Sequence, residues 1–447
     1  MKQVLFFTLL LGITVFWTNC SKDEDQNLDL ELRAALESAD PTRGVAGFML
    51  PRANDYQNIP QDPLNPISTE KVTLGRLLYH ETALGIMSER AEGLGTYSCA
   101  SCHFADAGFQ AGRFQGIGEG GVGIGNNGQD RVRMDAYNPE ELDVQPIRSP
   151  TTLNVAYQNL MLWNGQFGAV GDNVGTESEW AEGTPIETNF LGYEGVEIQA
   201  IAGLKVHRQG LNDTILNDLG YRTLFDAAFP EVDPADRYDR ERAGLAIAAY
   251  ERTILANRSP FQQFLQGKSS AMTNEEKEGA ILFFGKAGCA SCHSGPALNS
   301  MTFHALGMSD LDQSVEEVFG AGPEEAANLG RGGFTKLASD NYKFKTPTLY
   351  NLADSPFYGH GASFTSIEDV VRYKNQAQPE NARVPNSALS SQFQPLGLSD
   401  DEVAKIAIFL TYSLRDGELG RYEPDFVLSG QCFPNNDAQS REDMNCN

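Results

Sequence analysis

The chain has 447 residues, 41% of them hydrophobic and 10% aromatic, and carries a formal charge of −26. That length exceeds one small core and that composition belongs to a folded protein, so two domains are expected and wholesale disorder is excluded. The excess of carboxylates excludes a nucleic-acid partner, because phosphates need Lys and Arg to neutralise them, and it suits a basic protein partner or a small neutral substrate.

Residues 1–19, MKQVLFFTLLLGITVFWTN, hold one Lys followed by an apolar run too short for a secure membrane span, and they read as an export signal. Cys20 comes next, before Ser21-Lys-Asp-Glu-Asp25. An apolar run ending at a Cys resembles a bacterial lipoprotein signal with Cys20 as the lipid anchor, although Trp17-Thr-Asn19 departs from the usual small residues. The expected location is the outer membrane, facing the periplasm or the cell surface, with the membrane touched only through Cys20. Ordinary cleavage into the periplasm is the alternative. Residues 20–65, acidic and then rich in Pro and Asn, read as an anchor and tether.

Ser68 to Tyr79 has a helical apolar pattern at Val72, Leu74, Leu77 and Leu78. Residues 108–130 are studded with glycines, including Gly116, Gly118, Gly120, Gly121, Gly123, Gly125 and Gly128, and predict an irregular loop. Helical patterns return over about 212–229 and 238–257. Thr273-Asn-Glu-Glu276 is a capping box opening a helix to about Lys286, and Ser399-Asp-Asp-Glu402 opens another through Tyr412.

Two short stretches nearly repeat: Tyr97-Ser-Cys-Ala-Ser-Cys-His103 and Gly288-Cys-Ala-Ser-Cys-His293. Zinc would need four ligands, and each stretch supplies three at most. A thioredoxin-type CxxC would need a strand-to-helix context that is absent. Cys-x-x-Cys-His has another logic: the thiols form thioethers to haem vinyl groups and the adjacent His ligates the iron. Two such motifs predict two covalently bound haem c groups, held by Cys99, Cys102 and His103 and by Cys289, Cys292 and His293. The expected fold is mainly α: two cytochrome c-like helical domains, each with one haem and long loops, over residues 66–262 and 263–430. A tail over 431–447 contains Cys432 and Cys446, which are expected to form a disulfide worth roughly 3 kcal/mol in the chain-entropy model.

Around these motifs the chain resembles the bacterial dihaem cytochrome c peroxidase family, which includes MauG, over residues 66 to 415. The landmarks are Leu74-Gly-Arg-Leu-Leu-Tyr79, Ser149-Pro-Thr-Thr-Leu-Asn154, Leu162-Trp-Asn-Gly-Gln166, Phe344-Lys-Thr-Pro-Thr-Leu-Tyr-Asn351 and His360-Gly-Ala-Ser-Phe364. The resemblance implies that the N-terminal haem cleaves peroxide, that the C-terminal haem passes electrons in, and that Trp163 relays them. The loop that carries a distal His in such peroxidases reads Gly116-Ile-Gly-Glu-Gly120 here, offering Glu119 and no His. In the stretch matching the family's distal glutamate, Gln209 lies near the slot and His207 two residues earlier. His207 with Arg208 could supply the base and the positive group that O–O cleavage needs.

At the second haem the family's distal Met or Tyr falls at Tyr373 or Lys374, with Met308 as a less favoured substitute. His80, His304 and His360 read as structural. The resemblance also implies a calcium between the domains, which Arg148, standing where an Asn ligand is expected, argues against. The leading function is reduction of hydrogen peroxide with electrons from a small donor protein such as a c-type cytochrome. The alternatives are MauG-like oxidation of a protein or organic substrate, and a dihaem electron carrier with no turnover.

Overall fold

The computed structural model describes residues 26–446. The export signal and Cys20 lie outside the described residues. Among those described, no helix is long and apolar enough to cross a membrane.

The fold is mainly helical, with only short two-stranded ladders. The first helical group is α2 (Thr69–His80), α3 (Gly195–Val206), α4 (Tyr221–Ala228) and α5 (Arg240–Arg252). The second is α7 (Asn274–Phe284), α9 (Ile367–Gln376) and α10 (Asp400–Ile408), and the short α6 (Pro260–Leu265) lies between them in sequence. In each group one glycine sets the closest helix contact. A Cβ at Gly75 of α2 would lie 1.9 Å from the Ala246 carbonyl of α5, and one at Gly279 of α7 would lie 2.0 Å from the Lys405 carbonyl of α10. Any side chain there would force the helices apart. The groups share one apolar core, in which Phe261 of α6 stacks on Phe284 of α7 (5.8 Å) and meets Phe409 edge-on (5.5 Å).

Local signals fixed most helix starts. Ser68, Thr273 and Ser399 each accept a backbone N–H three residues on, and Thr273–Glu276 and Ser399–Glu402 close full capping boxes. Helix ends are less regular than the pattern predicts. The pattern over 212–229 is split by Gly220, at φ +91°, into a wide turn (Thr214–Asp218) and α4. The helix opened by Thr273 stops at Phe284, and the one opened by Ser399 widens into a π-type turn over Phe409–Ser413. The glycine-rich loop contains one small ladder, β1 (Gly121–Val122) against β2 (Val132–Arg133), antiparallel with Gly121 opposite Arg133. Strand β3 (Phe303–His304) pairs with β4 (Phe344–Lys345) in the same way.

Two terminal segments differ from expectation. Residues 26–65 are folded where a tether was expected. Residues 26–39 form helix α1, whose Leu32 and Leu36 are fully buried; Asp29 pairs with Lys277 at 2.8 Å, and Arg33 lies over the Phe264 ring. Further on, the Leu50 N–H donates to Gln262 Oε1 and Gln262 Nε2 donates to the Phe48 carbonyl. Leu28, Leu32 and Leu36 recur every four residues, so the acidic composition masks an amphipathic helix.

At the other end, Cys432 and Cys446 form a disulfide. The loop it closes is docked on the first CxxCH motif: Ser98 and Ser101 hydroxyls donate to the Pro434 carbonyl (2.9 and 3.2 Å). Asp437, which caps helix α11 (Ala438–Asp443), accepts the Gly123 N–H, and Asp443, its last residue, accepts those of Ile124 and Gly125.

Candidate haem sites

Each CxxCH motif folds into one 3₁₀ turn, Cys99–Ser101 and Cys289–Ser291, and the four cysteines are free thiols. Both histidines are oriented alike. His103 Nδ1 faces the Phe109 carbonyl at 3.4 Å, and His293 Nδ1 faces the carbonyls of Leu298 and Pro347, both at 3.1 Å. Donation from Nδ1–H leaves the Nε2 lone pair as the ligand, and burial holds each ring neutral by pulling its pKa down to about 4. Burial also pushes the Cys102 and Cys289 thiols up to about 12. Among the described residues, no group of three or more His, Cys, Asp or Glu is gathered to hold a bare metal ion.

The second motif opens into a cavity of ≈330 Å³, mostly apolar, lined by Phe283, Leu306, Ile406 and others beside Cys289, Cys292 and His293. An apolar pocket with two neutral thiols and one aimed imidazole nitrogen fits a covalently bound haem. Lys374 also lines it, and burial brings its amine down to about 8. Tyr373, the other expected ligand, is turned away: its hydroxyl donates to the Leu306 carbonyl at 2.5 Å and its ring packs between Phe364 and Phe393. Successive helical positions point about 100° apart, so only one of the two faces the cavity. Met308 lines the same cavity.

Trp163 stands in this wall, with its indole N–H donating to the Arg148 carbonyl (2.8 Å) and its edge towards His360. His360 hydrogen-bonds Asp310 and stacks on Phe344, His304 bonds Thr302 and Ser390, and His80 is fully buried against the Arg76 carbonyl. Those three histidines have structural partners.

At the first site, Gly116 brings the glycine-rich loop against the motif; a Cβ there would lie 2.9 Å from Cys102 Sγ. His207 caps α3 and its Nδ1 lies 2.9 Å from both oxygens of Asp143. Burial pulls the imidazole pKa down, but the Asp143 carboxylate more than offsets this and holds it above the ordinary value. Gln209 is buried against the first motif: its Oε1 accepts from Cys99 Sγ, and its Nε2 has no protein partner. Glu197, at the start of the same stretch, is fully buried but committed to Arg252 at 2.6 Å.

Glu119 is engaged by protein groups on both carboxylate oxygens. It is fully buried, with its oxygens taken by Arg208 Nη1, the Tyr137 hydroxyl and the Glu89 N–H, each at 2.6 Å. Arg208, at φ +53°, spends its guanidinium on Glu119 and the Glu141 carbonyl. Fully buried and held by three protein donors, Glu119 orders Arg208 and the loop around it. Arg148 likewise places a guanidinium, 2% exposed, where a calcium ligand was expected. A second cation there would meet like charge.

A helical fold carrying two such motifs fits a di-haem c-type cytochrome. Residues 69–270 match the family model described as di-haem cytochrome c peroxidase. The chain is 26% identical over 380 residues to the methylamine utilization protein MauG of Methylorubrum extorquens, covering 84% of this chain and 87% of the relative. It is 27% identical over 404 residues to the cytochrome-c peroxidase IdrP1 of Denitromonas iodatirespirans, covering 86% and 91%. Among solved structures, a MauG-like protein associated with microbial copper homeostasis aligns with a TM-score of 0.54 at 25% identity, over 83% of this chain and 95% of that one.

Proposed function

We propose that the protein reduces hydrogen peroxide to water, H₂O₂ + 2 e⁻ + 2 H⁺ → 2 H₂O, with electrons from an external donor such as a small c-type cytochrome. The observation that carries this reading is the His207–Asp143 pair beside the first CxxCH motif. A haem held by Cys99, Cys102 and His103 supplies the iron chemistry that breaks the O–O bond. The protein supplies the proton transfers. Asp143 takes the Nδ1–H of His207 and leaves Nε2 to accept the first peroxide proton and return it to the departing oxygen. The free Nε2–H of Gln209 is available to orient the bound oxygen, and Glu119 holds Arg208 and the loop in place.

At the second site Cys289, Cys292 and His293 would hold the electron-entry haem, with Lys374 in the same cavity as the candidate second ligand and Trp163 as the relay towards the first domain. The division into domains over 66–262 and 263–430 follows the two motifs. Export of the protein is supported by the Cys432–Cys446 disulfide, which belongs to an oxidising compartment. An anchor at Cys20 completes the proposed location.

A MauG-like reading, with peroxide oxidising a protein or organic substrate, is favoured by one observation. The candidate second ligand, Lys374, is an amine, which gives a lower iron potential than Met/His ligation and so suits storing oxidising equivalents better than drawing electrons from a donor.

Peroxide-dependent oxidation of a reduced c-type cytochrome, measured on haem-loaded protein as isolated and again half-reduced, separates these readings. Rapid donor oxidation that scales with peroxide supports the peroxidase. No donor oxidation but a peroxide-induced shift of the haem bands supports the MauG-like reading. Bands that do not respond leave an electron carrier.

A further inference from the structure

Besides Lys374, which lies by the thiols of Cys289 and Cys292, two cations in the wall of the second cavity, Arg148 and Lys345, have no carboxylate partner among the described residues. Arg148 donates from Nη1 to the Arg113 carbonyl (2.8 Å) and from Nη2 to Gln110 Oε1 (2.8 Å) and Ser355 Oγ (2.6 Å). Lys345, 6% exposed, sets Nζ against Gln158 Oε1 and the Leu160 carbonyl. Every one of these acceptors is a neutral oxygen. By contrast, Arg131 and Arg252, just as deeply buried, each hold a carboxylate: Asp437 for the first, Glu194 and Glu197 for the second. Burying a charge without a counter-charge is costly, and here desolvation alone drags Lys345 down to about 7. Such a pair is accounted for if an anion completes it.

The position of the pair identifies the anion. The thiol side of the cavity is formed around Cys292, whose Sγ lies 2.9 Å from Gln392 Oε1 and near His304. Arg148 and Lys345 belong to the side facing the first domain, where the Trp163 indole donates to the Arg148 carbonyl and the Lys345 N–H to the Trp163 carbonyl (2.7 Å). A haem fixed through its vinyl-derived carbons at Cys289 and Cys292 carries both propionates on the far edge of the ring.

We propose that Arg148 and Lys345 receive the propionate carboxylates of the second haem, fixing its rotation in the cavity and the edge it turns to Trp163. This rests on the reading of the second CxxCH as a haem site. Both residues are positioning groups that also set the charge beside the iron, and nearby positive charge favours the reduced state.

The test is spectroelectrochemical titration of the full haem-loaded protein and of Lys345→Gln, Arg148→Gln and Lys345→Arg, with haem counted in each by pyridine haemochrome. Two haems per chain are expected throughout; a single one in the parent protein would overturn the underlying haem reading and not this assignment. The second haem's potential is expected to shift negative in the Gln variants, with a smaller shift at the first haem, and to return towards the parent value in Lys345→Arg. If Arg148→Gln does not fold, the Lys345 pair decides alone. Neutral variants that keep both haems and the parent potential overturn the assignment, as does a potential that tracks added phosphate, which would put a free anion on the two cations.

Discussion

His207 Nδ1 and the Asp143 carboxylate meet at 2.9 Å across 64 residues of sequence, joining the end of α3 to the segment that follows the glycine-rich loop. The contact fixes the imidazole tautomer and stabilises its cation, as in other His–carboxylate pairs.

Asp143→Asn keeps the shape and removes the charge. Because Asp143 raises the His207 pKa, the base needs a higher pH to become neutral in the parent protein. Peroxide turnover should therefore rise with pH through that raised pKa, and the rise should move to lower pH in the variant. For stability the sign is the reverse of a carboxylate's. The pair stabilises the fold fully below the ordinary His pKa and loses that contribution as pH rises through the raised value. Urea titrations of the two proteins across that window should converge at the alkaline end.

Glu119→Gln should leave the first haem's ferric spectrum unchanged, because Glu119 is bound to Arg208, Tyr137 and the Glu89 N–H and not to the haem face. It should cost about 1–3 kcal/mol of stability through disrupted buried hydrogen bonds. A changed haem spectrum with no loss of stability would restore Glu119 as a ligand.

The covalent haem motifs, the helix starts and the C-terminal disulfide were legible in the sequence because each is a local signal: CxxCH, a capping box, two spare cysteines. The candidate distal site was only half legible. His207 and Gln209 stand out as candidates in the sequence, but Asp143, which hydrogen-bonds the first of them, has no local mark in Glu141-Leu-Asp-Val144. The partners of Glu119 were hidden for the same reason, since its loop is readable while they lie 89 and 18 residues away. Tyr373 and Lys374 could not be separated by composition, only by the helical rotation that turns one inward. The acidic sequence around Leu32 and Leu36 hid a packed helix, and nothing before residue 431 announces that the tail returns to the first motif.

That tail gives a third prediction. Arg131 and Asp437 are each 2% exposed on their side chains and pair at 3.3 Å. Asp437→Ala strands the guanidinium and also frees the Gly123 N–H, so it should cost about 3–5 kcal/mol. Hydrogen exchange should quicken over residues 121–131 well before the helical groups. Unchanged protection there would mean that the tail does not hold the loop.

Tyr373→Phe should leave the second haem's spectrum and potential unaltered, since the hydroxyl is spent on the Leu306 carbonyl. Lys374→Met should change both, raising the potential as a thioether replaces the amine. The reverse pattern would return the ligand role to Tyr373, and silence in both variants would shift it to Met308.

In the proposed mechanism His207 moves the peroxide proton at the first site. The most direct measurement is kcat/KM for peroxide in His207→Gln against the parent, with both haems loaded and the His103-ligated spectrum verified in each. A loss of about 10²–10⁴-fold is predicted, the usual contribution of a positioned general acid–base. Turnover within a few-fold of the parent, on the same haem spectrum, would contradict the claim.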